Sequence, residues 1–427
     1  MRLFISTLGV CLLASAQETL TIQQALEMTA KLSPDVQIAR LQALESVAKG
    51  DAVKCGYLPQ ASIAVSGTYQ TSNLQGIGLA FPGVPERIGP YRTFNARPQV
   101  TQTLLDLSLL KRMRAARSRE GQAKADARTV REDAEIAVLQ LYLQALATES
   151  RASAADARLA AAEALLKQTS DREQGGTSSK LDVARAVQQA EAERGALIDA
   201  RREAATLKTL LWKTIGAEKL VDARLVAPEI RLQAFSDEGM LLKKAVGQRP
   251  EVEALQFKER SAREETRAAE LQRMPRISGF GDYGVAGAGP DRSLSTYTVG
   301  ASLTIPLWTG RRIESEVAQA KLQQSQVEQE ARRVNLQIQQ EIRSARIGLE
   351  AAQAAKASAE RGREAAIEAL DLARMRFEAG LATSVDTQTA QSQLASSDDT
   401  RIRAAYDLSL SQARLAKALG ELSAAFQ

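Results

Sequence analysis

Two periods of apolar and polar residues alternate along this chain, and they divide it into strands and long helices. From Tyr297 one face carries Tyr297, Val299, Ala301, Leu303, Ile305 and Leu307, and the other carries Thr298, Gly300, Ser302 and Thr304. An earlier stretch sets Phe94, Ala96, Pro98, Val100 and Leu104 against Asn95, Arg97, Gln99, Thr101 and Thr103. Ile63 and Val65 alternate likewise with Ser62, Ser66 and Thr68. Period two is the mark of a strand with two unlike faces. The Gly/Pro-rich segments Ser72–Pro90 and Gly284–Asp291 separate the strands as hairpin loops. Strands are expected over about 61–70, 92–105, 276–285 and 295–308.

The remaining residues follow helical spacing. From Asp106 to Thr169 there is no proline, and Gly121 is the only glycine. A seam of small and apolar residues runs Val130, Ala134, Ala137, Leu141, Ala145, Thr148, Ala152, Ala155, Leu159, Ala162, Leu166. Steps of three and four with one extra four are coiled-coil spacing with a stutter. At about 1.5 Å per residue such a helix is roughly 100 Å long. Helices are expected over 20–57, about 106–172, 178–216, 237–273, 310–379 and 384–422. The long ones reverse at Gln174–Ser179 and Glu378–Thr383. Gly176 and Gly380 suit a left-handed helix end there, and the Ser or Thr that follows suits an N-cap.

The chain is written twice. Pro34 and Pro250 are 216 residues apart, as are Pro59 and Pro275. Phe94–Asp106 aligns with Tyr297–Thr309 at an offset of 203, and Gly176–Ala186 with Gly380–Ala390 at 204. Similar blocks in one order imply a duplicated unit of helix, strand, loop, strand, long helix, turn, long helix. The first unit is expected over 17–230 and the second over 231–427.

Strands with one apolar and one polar face suit a soluble sandwich or an outer-membrane barrel. Tyr69, Tyr91, Phe94, Tyr283 and Tyr297 gather at the loop-proximal strand ends, with Tyr57 and Trp308 at the opposite ends. Two aromatic girdles around an apolar band favour lipid. Four strands fall short of the roughly eight of the smallest closed barrels, and hydrocarbon does not tolerate open sheet edges. A membrane location therefore demands more than one copy of the chain. Asn95, Arg97, Gln99, Thr298 and Ser302 would then line the barrel lumen.

Composition narrows the chemistry. Among 427 residues there is no histidine, which removes Ser-His and Cys-His catalysis and the usual zinc sites. The 56 basic and 51 acidic residues are interspersed, which argues against a nucleic-acid partner. No internal apolar run reaches the length of a membrane-spanning helix. Residues 1–16 read as a secretory signal with Arg2, a short apolar core and cleavage after Ala16; Cys11, inside that core, would serve a lipid anchor in the alternative reading. Loss of the signal leaves Cys55 alone, so no disulfide framework exists. Gly279–Gly284 spells GxGxxG, but no helix follows to meet a pyrophosphate. Ser46 and Lys49 lack the motifs that accompany S-x-x-K in its enzymes, and Asp398-Asp399 reads as a solvated helix face. No constellation supports an enzyme, and no cofactor is implied.

Phe377-Glu-Ala-Gly380, Ser384-Val385-Asp386 and the helix to Leu419-Gly420, with Leu58-Pro59 and Met274-Pro275 before each strand pair, resemble the TolC-type outer-membrane efflux family. The resemblance covers essentially the whole mature chain. The fold it implies is mainly α with a β-barrel part. Long coiled-coil helices form a trimeric α-barrel in the periplasm, and four strands per protomer join a shared 12-stranded transmembrane β-barrel. The implied function is a passive, non-catalytic exit duct for small molecules, drugs, metal ions or proteins. The implied partners are two further copies of the chain, a periplasmic adaptor (membrane fusion) protein, an inner-membrane transporter and outer-membrane lipid of a Gram-negative bacterium.

The resemblance also implies site residues. Asp386 matches the first aspartate of the family's periplasmic constriction, Thr389 stands at the second, and Asp182 matches an aspartate of the closing network. Phe377 replaces the family's closing tyrosine and Ala382 its arginine, so those two polar bonds are missing here. Asp386 and Asp182 equally suit helix N-termini as charges that complement the dipole, and the two roles are compatible. Gly176, Thr177, Gly380 and Leu381 fall at the adaptor-docking turns. The competing reading is a secreted or periplasmic coiled-coil structural or adaptor protein without a membrane barrel. An adaptor would carry one helical hairpin, whereas two are written here.

Overall fold

The computed structural model describes residues 19–74, 76, 78, 85, 87–218, 223–228, 238–379 and 381–422. The signal segment, Cys11 and Gly380 lie outside them. The elements in chain order are β1 (Thr19–Leu20), α1 (Ile22–Leu32), α2 (Pro34–Lys54), β2 (Gln60–Asn73), β3 (Arg87–Leu105), α3 (Leu107–Gln174) and α4 (Lys180–Ile215). Then come β4 (Arg224–Leu225), α5 (Glu238–Gln248), α6 (Pro250–Glu270), β5 (Arg276–Gly287), β6 (Ser293–Thr304), α7 (Arg312–Glu378) and α8 (Ser384–Leu419).

The duplication is visible in the helix lengths. α1 and α5 each have 11 residues, α2 and α6 each 21, α3 and α7 have 68 and 67, and α4 and α8 each 36. The single helices expected over 20–57 and 237–273 are each broken in two. Pro34 and Pro250 open the second piece, because proline has no N–H for the preceding turn yet suits a first helical position. β6 stops at Thr304, four residues short of the expected end, since Pro306 cannot donate to a ladder. Ile305 and Leu307 therefore extend past the strand.

The chain divides into two compact units, one of 1–40, 127–252 and 334–427, the other of 41–126 and 253–333. In the first, the core gathers Ile22, Leu26, Leu139, Tyr142, Trp212, Ile215 and Leu410. β1 and β4 pair in parallel, Thr19 with Arg224 and Leu20 with Leu225. The buried Tyr142 hydroxyl lies 2.7 Å from the carbonyls of both Leu20 and Val226, shares its one proton between them, and accepts from Val226 N–H at 2.9 Å. A second cluster joins Leu241, Ala245, Ile338, Ile342 and Leu419. Beside it the buried Arg249 donates from Nε to the Ala418 carbonyl at 3.0 Å and from Nη2 to Glu341 at 2.6 Å.

The second unit carries a four-stranded antiparallel sheet in the order β2-β3-β5-β6. Its register places Gln99 opposite both Ser62 and Asp282, and Asp282 opposite Thr298. Near the sheet, Ser108 Oγ donates to the Ala268 carbonyl at 2.8 Å, and Lys111 pairs with Glu264 at 2.9 Å. Gly121 admits the Phe257 ring, which a Cβ there would meet at 2.6 Å. Cys55 is a free, exposed thiol.

Candidate functional site

Paired residues of an antiparallel sheet share a face. The register therefore collects Asn95, Arg97, Gln99, Asp282, Thr298 and Ser302 on one face, with Ser62, Ser66 and Thr68. This polar face is cross-linked. Arg97 donates to Asn95 at 2.7 Å, Asp282 at 2.8 Å and Thr296 at 2.8 Å. Gln99 donates to Ser62 at 3.1 Å, and the Tyr91 hydroxyl lies 2.7 Å from that of Ser72. All five residues assigned to a lumen thus stand on one polar face. Sequence reasoning missed Asp282, whose signal is a lone charge in a Gly-rich strand.

The opposite face is apolar and bare. Ile63 is 71% exposed, Val65 64%, Tyr297 75%, Val299 79% and Leu303 61%. β2 and β6 each have a single partner among the described residues, so both sheet edges are open. Tyr57 and Trp308 behave differently from each other. Trp308 is 82% exposed, whereas the Tyr57 hydroxyl is spent on the Asp106 backbone, donating to its carbonyl at 2.5 Å.

The helix reversals are built alike in both repeats. Thr177 N–H bonds to the Arg172 carbonyl and Leu381 N–H to the Arg376 carbonyl, each at 2.8 Å. Gly176 has φ +74°, the left-handed conformation such a closure needs. Gly176, Thr177 and Leu381 are exposed, Leu381 by 73%. The next helices start with matched capping boxes. Ser179 caps α4 with Asp182 at the third position, and Thr383 caps α8 with Asp386. The Asp386 carboxylate accepts from Thr383 N–H and Oγ1, both at 2.8 Å. Those bonds hold its pKa below the usual carboxylate value. Asp182 accepts from Ser179 N–H at 3.2 Å and Oγ at 2.6 Å. Both aspartates thus have a helix-start role in full. Thr389 turns its hydroxyl to the Val385 carbonyl of its own helix at 2.8 Å.

Two contacts here escaped the sequence. The Arg172 guanidinium lies over the Phe377 ring, 4.9 Å from its centroid, so α3 holds α7 through a cation–π contact. Gln388 donates to Gln189 at 2.9 Å and joins α8 to α4. The signal for the first was an arginine and an aromatic at equivalent last turns.

No helix among the described residues is long and apolar enough to cross a membrane, and none of their acidic or cysteine groups forms a metal-binding cluster.

Known proteins share this design. The structure of VceC from Vibrio cholerae, described as an outer membrane protein, superposes with a TM-score of 0.78 at 18% identity, over 93% of this chain and 96% of that one. The CmeC outer membrane channel of Campylobacter jejuni gives 0.79 at 16% identity, over 94% and 86%. The MtrE outer membrane channel of Neisseria gonorrhoeae, in its open state, gives 0.75 at 18%, over 95% and 90%. At these identities the likeness is one of fold. The outer membrane efflux protein BepC of Brucella suis biovar 1 is 27% identical over 256 residues, which span 58% of this chain and about half, 55%, of that protein. A family model described as "Outer membrane efflux protein" matches residues 22–217 and 241–421, nearly all of both repeats. The chain belongs to the outer membrane efflux protein family, the TolC-type channels of the outer membrane.

Proposed function

We propose that this chain is the outer-membrane exit duct of a tripartite efflux or type I secretion system, a passive conduit with no catalytic step. The observation that carries the reading is the sheet: a bare apolar face, a cross-linked polar face and two open edges. In lipid the apolar face is solvated by acyl chains, but the unpaired edge amides and carbonyls each cost several kcal/mol, about 2–7 by transfer measurements. Identical copies remove that cost by joining β2 of one to β6 of the next. Three copies give the twelve strands of the family barrel, with Asn95, Arg97, Gln99, Thr298 and Ser302 toward water.

The helices would continue the conduit into the periplasm. The turns at Gly176, Thr177, Gly380 and Leu381 would meet a periplasmic adaptor that couples the duct to an inner-membrane transporter. Asp386, ionised and exposed, would contribute one charge per copy to a constriction that favours cations, with Asp182 beside it and Thr389 in the place of a second acidic ring. Family membership favours this reading over a soluble coiled-coil or adaptor protein. Imaging of the detergent-purified mature protein tests it together with planar-bilayer conductance. A threefold particle with a continuous lumen and stable conductance is expected. A folded, water-soluble monomer released without detergent would overturn it.

A further inference from the structure

The apolar face of the β2–β3 hairpin changes its chemistry in order along the strand. On β3, counted toward the hairpin end, it carries Leu104, Val100, Pro98 and Ala96, then Phe94, then Arg92. Arg92 is fixed on this face by its neighbours, which both bond on the polar side. The Tyr91 hydroxyl accepts from Gln70 at 2.9 Å and lies 2.7 Å from that of Ser72, and the Thr93 hydroxyl meets that of Thr68. Arg92 stands directly opposite Tyr69 in the ladder. Tyr69 is 74% exposed, Arg92 is exposed, and neither its guanidinium nor the Tyr69 hydroxyl has a partner among the described residues. The four strands contain one acid, Asp282, and it is spent on Arg97 at 2.8 Å on the polar face.

Height decides what such a cation meets. Ten residues from Leu104 to Phe94, at about 3.4 Å each and a tilt of about 40°, make an apolar band about 26 Å tall, close to the roughly 25 Å of outer-membrane barrels. Two residues further on, Arg92 stands about 5 Å beyond the band, at the depth of the headgroups. Opposed residues of an antiparallel pair have Cα atoms about 4.5–5.5 Å apart, so the phenol and the guanidinium can meet at one acceptor. Guanidinium prefers oxyanions, which it grips with paired N–H bonds. A cation just past an aromatic belt, with no acid on its face of the sheet, is placed for an anionic headgroup. We propose that Arg92 and Tyr69 together bind the phosphate of a lipid headgroup in the leaflet at the hairpin end. The proposal rests on the duct reading, which puts this face of the sheet in lipid.

Phe94→Trp with Trp308→Phe places a reporter on the same face, two residues from Arg92. The remaining Trp212 is 6% exposed in the helical core and adds a constant background. The full-length mature protein is reconstituted in phosphatidylcholine vesicles with rising fractions of dibrominated phosphatidate or dibrominated phosphatidylcholine, which quench tryptophan on contact. Association of the phosphatidate is expected to be about threefold tighter, the scale of one arginine at a membrane surface. The preference should fall to parity after Arg92→Gln and weaken after Tyr69→Phe. Equal association of both lipids, or a preference that survives Arg92→Gln, would overturn the proposal. So would loss of the preference in excess inorganic phosphate at matched ionic strength, which would assign the pair to a free anion. If the glutamine variant does not insert, salt decides on the reporter protein: the preference must shrink at high ionic strength, and a salt-independent preference refutes the site. Absence of reporter quenching by either lipid would instead overturn the duct reading, and this proposal with it.

Discussion

Glu132 on α3 is held in a crowd of its own sign. Burial first, then Glu251 and Glu135, push its pKa up to about 7, against the weaker pull of Arg249 and Lys417. The neighbours explain why the cations do not prevail. Arg249 is committed to Glu341 and the Ala418 carbonyl, Lys417 to Asp133 at 2.6 Å, and Glu251 keeps a buried oxygen with no hydrogen-bond partner. The folded state therefore holds a proton between the ordinary carboxylate range and pH 7 that the unfolded chain has lost. Stability from this group is fully present below the unfolded pKa and is lost as pH rises through about 7. A shift from 4.5 to about 7 bounds the effect near 3 kcal/mol, and partial solvent access reduces it to about 1–2. Glu341 does not compete in this window: burial raises its pKa, but the Arg249 and Gln337 hydrogen bonds outweigh that and lower it. Glu132→Gln imitates the protonated form. Unfolding of both proteins, followed by intrinsic fluorescence in matched detergent at pH 4 and 8, should show the variant more stable at pH 8 by about 1 kcal/mol and nearly equal to wild type at pH 4, below the unfolded pKa. A variant less stable at both pH values, with the wild-type slope, would show that the carboxylate is ionised and stabilising where it sits.

Tyr142→Phe removes the hydroxyl that ties Leu20 and Val226 to α3. Two net hydrogen bonds, one end reachable by water, set the expected loss at about 1–2 kcal/mol, read as a lowered unfolding midpoint with an unchanged native spectrum. Asp386→Asn retains an oxygen for Thr383 N–H but removes the charge, whereas Thr383→Ala removes the cap and keeps the charge. A pore role predicts that cation selectivity falls only in the first variant, while a capping role alone predicts unchanged selectivity in both and a loss of about 1 kcal/mol in the second.

The fold was legible because its repeating patterns are strong. Period-two faces found the four strands, and the register then placed Asn95, Arg97, Gln99, Thr298 and Ser302 together. The helical seam and the turn residues found the reversals. Details governed by one or two atoms were less visible. Pro34 and Pro250 sit inside otherwise helical patterns, and only the backbone shows that they start new helices. Tyr57 reads as an interfacial aromatic until its hydroxyl is found on Asp106. Arg97 with Asp282 and Arg172 with Phe377 join residues far apart in sequence, and no local period encodes such pairs.

Asp386 illustrates the limit of matching a site by position. A carboxylate three residues after Thr383 is what the start of α8 requires in any helical hairpin, and Ser179 with Asp182 meets the same requirement at the start of α4. Its presence is thus accounted for before any ion passes. The same Thr383 bonds that build the box also hold the Asp386 pKa low, so the cap leaves a charge at an exposed tip. Closure and charge are therefore separable here. The α3–α7 contact between Arg172 and the Phe377 ring uses none of the Asp386 hydrogen bonds, so a pore role for the aspartate predicts that neutralising it alters which ions pass without altering how the helix ends are held.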